Sequence, residues 1–200
     1  MDNRAFFNIG YGLYILGAED NGKDNGCIVN AVMQVTNTPN RLAFAVSKQN
    51  YTCEMIAKTN RYSISVLSED ATFDLFRRFG FQSGRDTDKF DGFGDVKRTK
   101  NGVYYITHAT NAFFSGSVIN TADLGTHLLF TVDVEEAEVL SSAPTATYTY
   151  YQEHIKPKPE ASKKKGWRCK ICGYEYEGEV LPPDFICPLC KHPASDFEKM

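Results

Sequence analysis

The chain has 200 residues, 42% of them hydrophobic, with 14 Phe, 11 Tyr, 6 Cys and a formal net charge of −3. That length supports one full core plus a small accessory module, and that apolar content excludes a disordered chain. The small net charge argues against a nucleic-acid or anionic-membrane partner, and no apolar run reaches the ~20 residues a membrane-spanning helix needs.

In chain order, the first apolar stretch is FFNIGYGLYILGA, residues 6–18. It carries Asn8 and three glycines and lacks a small-x-small cleavage site, so it reads as a strand and turn, not a signal segment. A cytoplasmic, reducing location follows as an expectation, with the cysteines as thiols or metal ligands. Residues 27–35 alternate Cys27, Val29, Ala31, Met33 and Val35 against Ile28, Asn30, Val32 and Gln34, the period-two signature of one strand. Cys27 and Cys53 are expected to be small buried hydrophobes. LAFAVS (42–47), YSISVL (62–67), VYYITHA (103–109), AFFSGSVI (112–119) and HLLFTVDVEEAEVL (127–140) read as further strands, and TYTYYQ (147–152) as the last. Two segments have helical patterns: 50–60, and 68–80 with Ser68 as N-cap and Gly80 as its stop. Many strands with two inserted helices predict a mainly β fold, a closed or nearly closed barrel.

KPKPEASKKKG (156–166) follows, Pro-, Lys- and Gly-rich. It reads as a linker over 156–165 between a first domain, 1–155, and a second, 166–200. Flexible, those residues would span about 17 Å on average. Behind it, Cys169-x2-Cys172 and Cys187-x2-Cys190 stand 14 residues apart. A two-residue gap lets both sulfurs of one turn face a single point, so two such turns form a tetrahedral all-sulfur site suited to Zn²⁺ or a single Fe. Four basic and six acidic residues leave this segment at −2, a poor balance for a nucleic-acid-binding ribbon. Trp167, Tyr174, Tyr176, Phe185 and Phe197 supply a small core that would keep water from the metal.

The pattern W-x-C-x-x-C-G-Y-x-Y, then L-P-P-D-F, then C-P-x-C, resembles rubredoxin, in the short form that ends rubrerythrins. Lys191 departs from it, standing where rubredoxins usually have Gly. The resemblance implies one iron on Cys169, Cys172, Cys187 and Cys190, cycling between Fe(II) and Fe(III), and leaves His192 as a surface residue. The first domain shows no G-x-G-x-x-G, P-loop or G-x-S-x-G. Its GCIVNAVMQVT, PNRLAFAVSKQNYTCEMI, SGRDTDKF and GTHLLFTVDVEEAEVL are similar to the flavin-reductase family of FMN-binding split barrels. The combination resembles the high-molecular-weight rubredoxins, homodimers in which NADH or NADPH reduces FMN, FMN reduces iron, and iron reduces a flavodiiron protein acting on NO or O2.

On this resemblance, Asn30, Ala31, Val32, Met33, Gln34 and Thr36 would lie along the isoalloxazine, with Asn30 and Gln34 on one strand face. Ser47, Lys48, Asn50, Tyr51 and Thr52, at a strand-to-helix turn, suit the phosphate, or else Asn50 or Thr52 caps the helix. Ser83, Gly84, Arg85 and Lys89 would close over the cofactor as a loop, or are exposed surface charge. His127 sits where the family has a histidine near the flavin or nicotinamide. No side chain is required as acid or base. Two other readings remain open at this point: a redox carrier without its own nicotinamide site, and a zinc ribbon for protein interaction on a non-redox barrel.

Overall fold

The computed structural model describes residues 1–157 and 166–200. The linker expected at 156–165 therefore lies, from residue 158 onward, outside the described residues. A short 3-10 helix, Asn3–Asn8, occupies part of the stretch expected to be strand and turn; regular pairing starts at β1, Tyr14–Asp20. β2 (Lys23–Val29) turns back on β1 in register, Tyr14 opposite Val29 and Asp20 opposite Lys23. Then come β3 (Val32–Asn37), β4 (Asn40–Ser47), helix α1 (Tyr51–Thr59) and β5 (Arg61–Leu67). Helix α2 (Phe73–Gly80), the β6–β7 hairpin (Val96–Arg98, Tyr104–Ile106) and the long strands β8 (Thr110–Asp123) and β9 (His127–Val139) complete the body.

Seven strands form one sheet in the order β2-β1-β5-β8-β9-β4-β3. The two edges, β2 and β3, are consecutive in the chain and separated only by Asn30 and Ala31. A flat seven-stranded sheet would put its edges about 29 Å apart at ~4.8 Å per strand, far beyond a two-residue step. The sheet must therefore roll up until its edges meet, which makes it a split barrel. The expected single strand 27–35 is thus two strands. Alternation holds through Cys27 and Val29, which are buried, and then stops, because the chain changes edges at Asn30 and β3 runs on largely exposed.

Phe44, Tyr62 and Phe130 fill the barrel interior, with Phe44 5.5 Å from Tyr62 and 5.4 Å from Phe130 between ring centroids. Tyr62 satisfies its hydroxyl on the Asp133 carbonyl at 2.9 Å. Cys27 and Cys53 are buried as expected. A second cluster packs α2 and the end of the first domain around Phe76 and Phe79.

Two other expectations fail for local reasons. The helix expected from Ser68 starts at Phe73, after Thr72; Ser68 is instead held in a bridge to Thr145. The final strand at 147–152 is a short helix α3 (Tyr148–Tyr150) that widens into a π-helical turn, Tyr151–Ile155. Thr147 caps it, accepting from Tyr150 N–H at 3.1 Å. The Thr/Tyr alternation imitates a strand, but Tyr148 and Tyr151 are three apart and both join the Phe76 cluster, Tyr151 with its ring 4.4 Å from that of Phe76. No helix among the described residues is long and apolar enough to cross a membrane.

In the second domain β10 (Trp167–Cys169) lies between β11 (Glu175–Tyr176) and β12 (Phe197–Lys199). Phe44→Ala, at the centre of the barrel, is expected to cost about 3–5 kcal/mol, read as a lowered midpoint in chemical denaturation followed by far-UV circular dichroism.

Candidate functional site

The four cysteines of the second domain come together. Their sulfurs lie within 4.8 Å of one another. Cys169 and Cys190 are 3.5 Å apart, as are Cys172 and Cys187. A metal with ~2.3 Å bonds to four tetrahedral sulfurs holds them about 3.8 Å apart, so the cluster has the size of a filled site. The donor set is all sulfur, and the residues fit a single Fe or Zn²⁺.

Two turns of the same design hold them. Cys169 N–H donates to Tyr174 O, and Gly173 N–H to Cys169 O; Cys187 N–H donates to His192 O, and Lys191 N–H to Cys187 O. Further N–H groups reach the sulfurs: Tyr174 to Cys172, Leu189 and Cys190 to Cys187, and His192 to Cys190. Burial raises the Cys172 thiol pKa, against the help of the Tyr174 N–H, and a metal bound there would favour its thiolate form. Each turn requires a left-handed residue just after its second cysteine: Gly173 at φ +80° and Lys191 at φ +61°. The departure from Gly at 191 thus preserves the turn and carries its backbone cost. Trp167, Tyr174, Tyr176 and Phe185 pack against buried Cys169, Cys187 and Phe197. Cys169 and Cys187 face inward, whereas Cys172 and Cys190 are half-buried beside exposed Ile171 and Leu189. His192 is half-buried, its Nδ1 3.0 Å from Cys190 O.

At the end of the barrel where the edges meet, Ala31 O accepts from Ala45 N–H at 3.0 Å, which sets Asn30 and Ala31 beside the β4 segment leading to Ser47. α1 starts there, and its N-cap Asn50 makes no side-chain cap. Thr52 does not cap either; its hydroxyl accepts from Asn25 Nδ2 at 3.0 Å. Tyr51 lies between two cations, Lys23 Nζ at 4.7 Å and the Arg85 guanidinium at 4.9 Å from its ring centroid. Arg85 also pairs with Glu54 at 2.7 Å. Lys48 is held by Asp123 at 2.6 Å, and that pairing keeps the Asp123 carboxyl below its usual range. Ser47 is the register partner of His127, whose Nδ1 meets Thr126 Oγ1 at 2.9 Å.

Not every expected residue joins this group. Asn30 precedes β3, so it does not share a paired strand face with Gln34. Gln34 bonds to Thr36 O at 3.3 Å, and Thr36 bonds Pro39 O; both lie toward the far end of β3. Gln34, Met33 and Arg41 line a groove of about 480 Å³. Gly84 is buried against the Asn25 side chain, where a Cβ would collide. Lys89 turns inward, 3% exposed, donating to Gly26 O at 2.8 Å and Phe79 O at 3.3 Å. It anchors the loop from below and is not surface charge. Burial lowers its pKa. Conversely, Lys23 was not foreseen: it is 28 residues before Tyr51, and only the β1–β2 hairpin brings it there.

Comparison with known proteins matches residues 6–158 to the flavin reductase-like domain and 167–198 to the rubrerythrin, rubredoxin-like domain. The chain is 32% identical to the high molecular weight rubredoxin of Moorella thermoacetica, over 100% of both chains. It is 37% identical to a ferric-chelate reductase (NAD(P)H) of Archaeoglobus fulgidus, covering 76% of this chain and 89% of that one. An NADH:FAD oxidoreductase of Streptomyces globisporus has the same barrel, with a TM-score of 0.64 at 18% identity over 72% of this chain and 84% of that one.

Lys191→Gly removes the left-handed penalty of roughly 1–2 kcal/mol, less Gly's greater freedom when unfolded. It is expected to stabilise the metal-loaded second domain by about 0.5–1 kcal/mol, measured as slower metal loss to a chelator in denaturant.

Proposed function

The chain belongs to the flavin reductase-like family and ends in a rubredoxin-like domain, and from that premise we propose that it is an NAD(P)H-dependent oxidoreductase using FMN and one four-cysteine iron to deliver single electrons to a partner protein. The four-sulfur cluster carries the metal part of this reading, because four thiols converging at that spacing suit a tetrahedral metal. A flavodiiron protein reducing NO or O2 is the proposed acceptor. When bound, FMN accepts two electrons from NADH or NADPH and releases them singly, and iron on four thiolates passes them on one at a time.

The chain's own residues supply position and electrostatics. Lys23 and Arg85 flank Tyr51 at an α1 start without a side-chain cap, an arrangement that suits the phosphate together with Ser47 and the first N–H groups of the helix. Lys48, tied to Asp123, holds the β8–β9 hairpin against the same turn. The backbone of Asn30 to Met33, at the barrel's seam, is the proposed bed of the flavin ring. Gln34 and Thr36, farther along β3, reach at most its outer edge. His127, opposite Ser47, is the side chain proposed to meet a nicotinamide. Cys169, Cys172, Cys187 and Cys190 hold the iron, and their aromatic shell excludes water from it. The exposed apolar residues Met33, Val35, Ile119 and Leu124 suit burial against a second copy, in a homodimer.

Iron-replete protein mixed anaerobically with NADH or NADPH is expected to lose its flavin absorbance and then its ferric-thiolate bands. Bleaching by neither nucleotide overturns the reductase reading, and colourless, zinc-bearing protein overturns the electron-transfer reading. Lys23→Met and Arg85→Met are each expected to weaken FMN binding roughly tenfold, about 1.4 kcal/mol, in a flavin-fluorescence titration. Unchanged affinity in both would move the phosphate elsewhere.

A further inference from the structure

A side chain on the last turn of the flavin domain hydrogen-bonds to the metal-binding domain. Lys156 closes the π-helical turn, its N–H donating to Tyr151 O at 2.8 Å. Its ammonium donates to Lys170 O at 2.7 Å, and Lys170 lies between Cys169 and Cys172. Lys156 also lines two cavities that the cysteines line: one of about 430 Å³ with Cys169 and Cys172, and one of about 700 Å³ with Cys190. Cys169, Cys172 and Cys190 thus share with Lys156 the walls of these two cavities. Burial lowers the Lys156 pKa, and the charges of Cys169, Cys172, Glu198 and Cys190 oppose that shift. Lys170 itself donates its Nζ to Ser195 O at 3.4 Å.

We propose that Lys156 is a positioning residue for the iron centre, supplied by the flavin domain, that fastens the first cysteine turn and biases the metal toward its reduced state. The inference rests on iron being the metal. Four thiolates give the ferric site a charge of −1 and the ferrous site −2. One electron enters, no bond to sulfur breaks, and no proton is taken up. A nearby cation is therefore attracted more strongly to the reduced site than to the oxidised one, and the reduction potential rises. The low polarity that lowers the Lys156 pKa also strengthens that attraction. The helical turn that carries Lys156 is packed into the flavin domain through Tyr148 and Tyr151. The charge at the iron is thus fixed by the fold of the other domain.

The test is spectroelectrochemical titration of full-length, iron-replete protein, reading the ferric-thiolate and flavin bands separately. Lys156→Met and Lys156→Gln are expected to move the iron midpoint to more negative potential and leave the flavin midpoint in place, while Lys156→Arg keeps the wild-type value. Lys156→Gln retains a donor for the Lys170 carbonyl, so it carries the test if Lys156→Met loses its iron. An unshifted iron midpoint in both neutral variants overturns the proposal. So does an equal shift in Lys156→Arg, or a parallel shift of iron and flavin. Wild-type protein without ferric-thiolate bands would instead remove the iron reading on which the inference stands.

Discussion

Everything in the larger domain depends on a two-residue step. Asn30 and Ala31 join the opposite edges of a seven-stranded sheet, and the only geometry that permits this is a sheet curled on itself. Curling produces the interior that Phe44, Tyr62 and Phe130 fill. It also lays the seam of the barrel beside the β4–α1 turn, so a strand edge, a helix start and the β1–β2 hairpin converge at one end. The cations Lys23 and Arg85 meet there around Tyr51 although they are 62 residues apart in the chain. The candidate flavin site is a by-product of closing the sheet.

The smaller domain is governed by repetition. Two cysteine turns share one hydrogen-bond scheme, and each needs a left-handed residue at the same place. Gly fills it once and Lys once. That the same backbone is adopted with so different a residue says the turn is dictated by the convergence of sulfurs and the N–H groups that serve them. The buried cluster of Cys169, Cys187 and Phe197 is too little core to hold 35 residues by hydrophobic burial. A metal on the four cysteines would be the main cohesive element of this domain.

The parts that the sequence made legible were those with short-range signatures. The cysteine spacing pointed to four sulfurs converging, as they do, and the aromatic residues around them form the shell expected. The strands expected at 42–47, 62–67, 112–119 and 127–140 and the first helix stand close to where their patterns placed them, whereas the one expected at 103–109 shrinks to Tyr104–Ile106. The errors share one cause: local patterns that tertiary contacts overrule. Alternation through 27–35 conceals a change of sheet edge. Alternation through 147–152 conceals a helix, since Tyr148 and Tyr151 pack on α2. Lys89 reads as part of a loop closing over the cofactor, or as surface charge, yet two carbonyls capture it in the interior. Lys23 was illegible because its role arises from a hairpin that no local pattern ties to α1.

The outer sulfurs give the second domain a single working side. Cys172 and Cys190 are the half-exposed pair, and Cys190, with Ile171 and His192, borders the cleft against the flavin domain. If iron sits there, the chain's own flavin and an outside partner would share the approach past Cys190, and each would compete with the other for it.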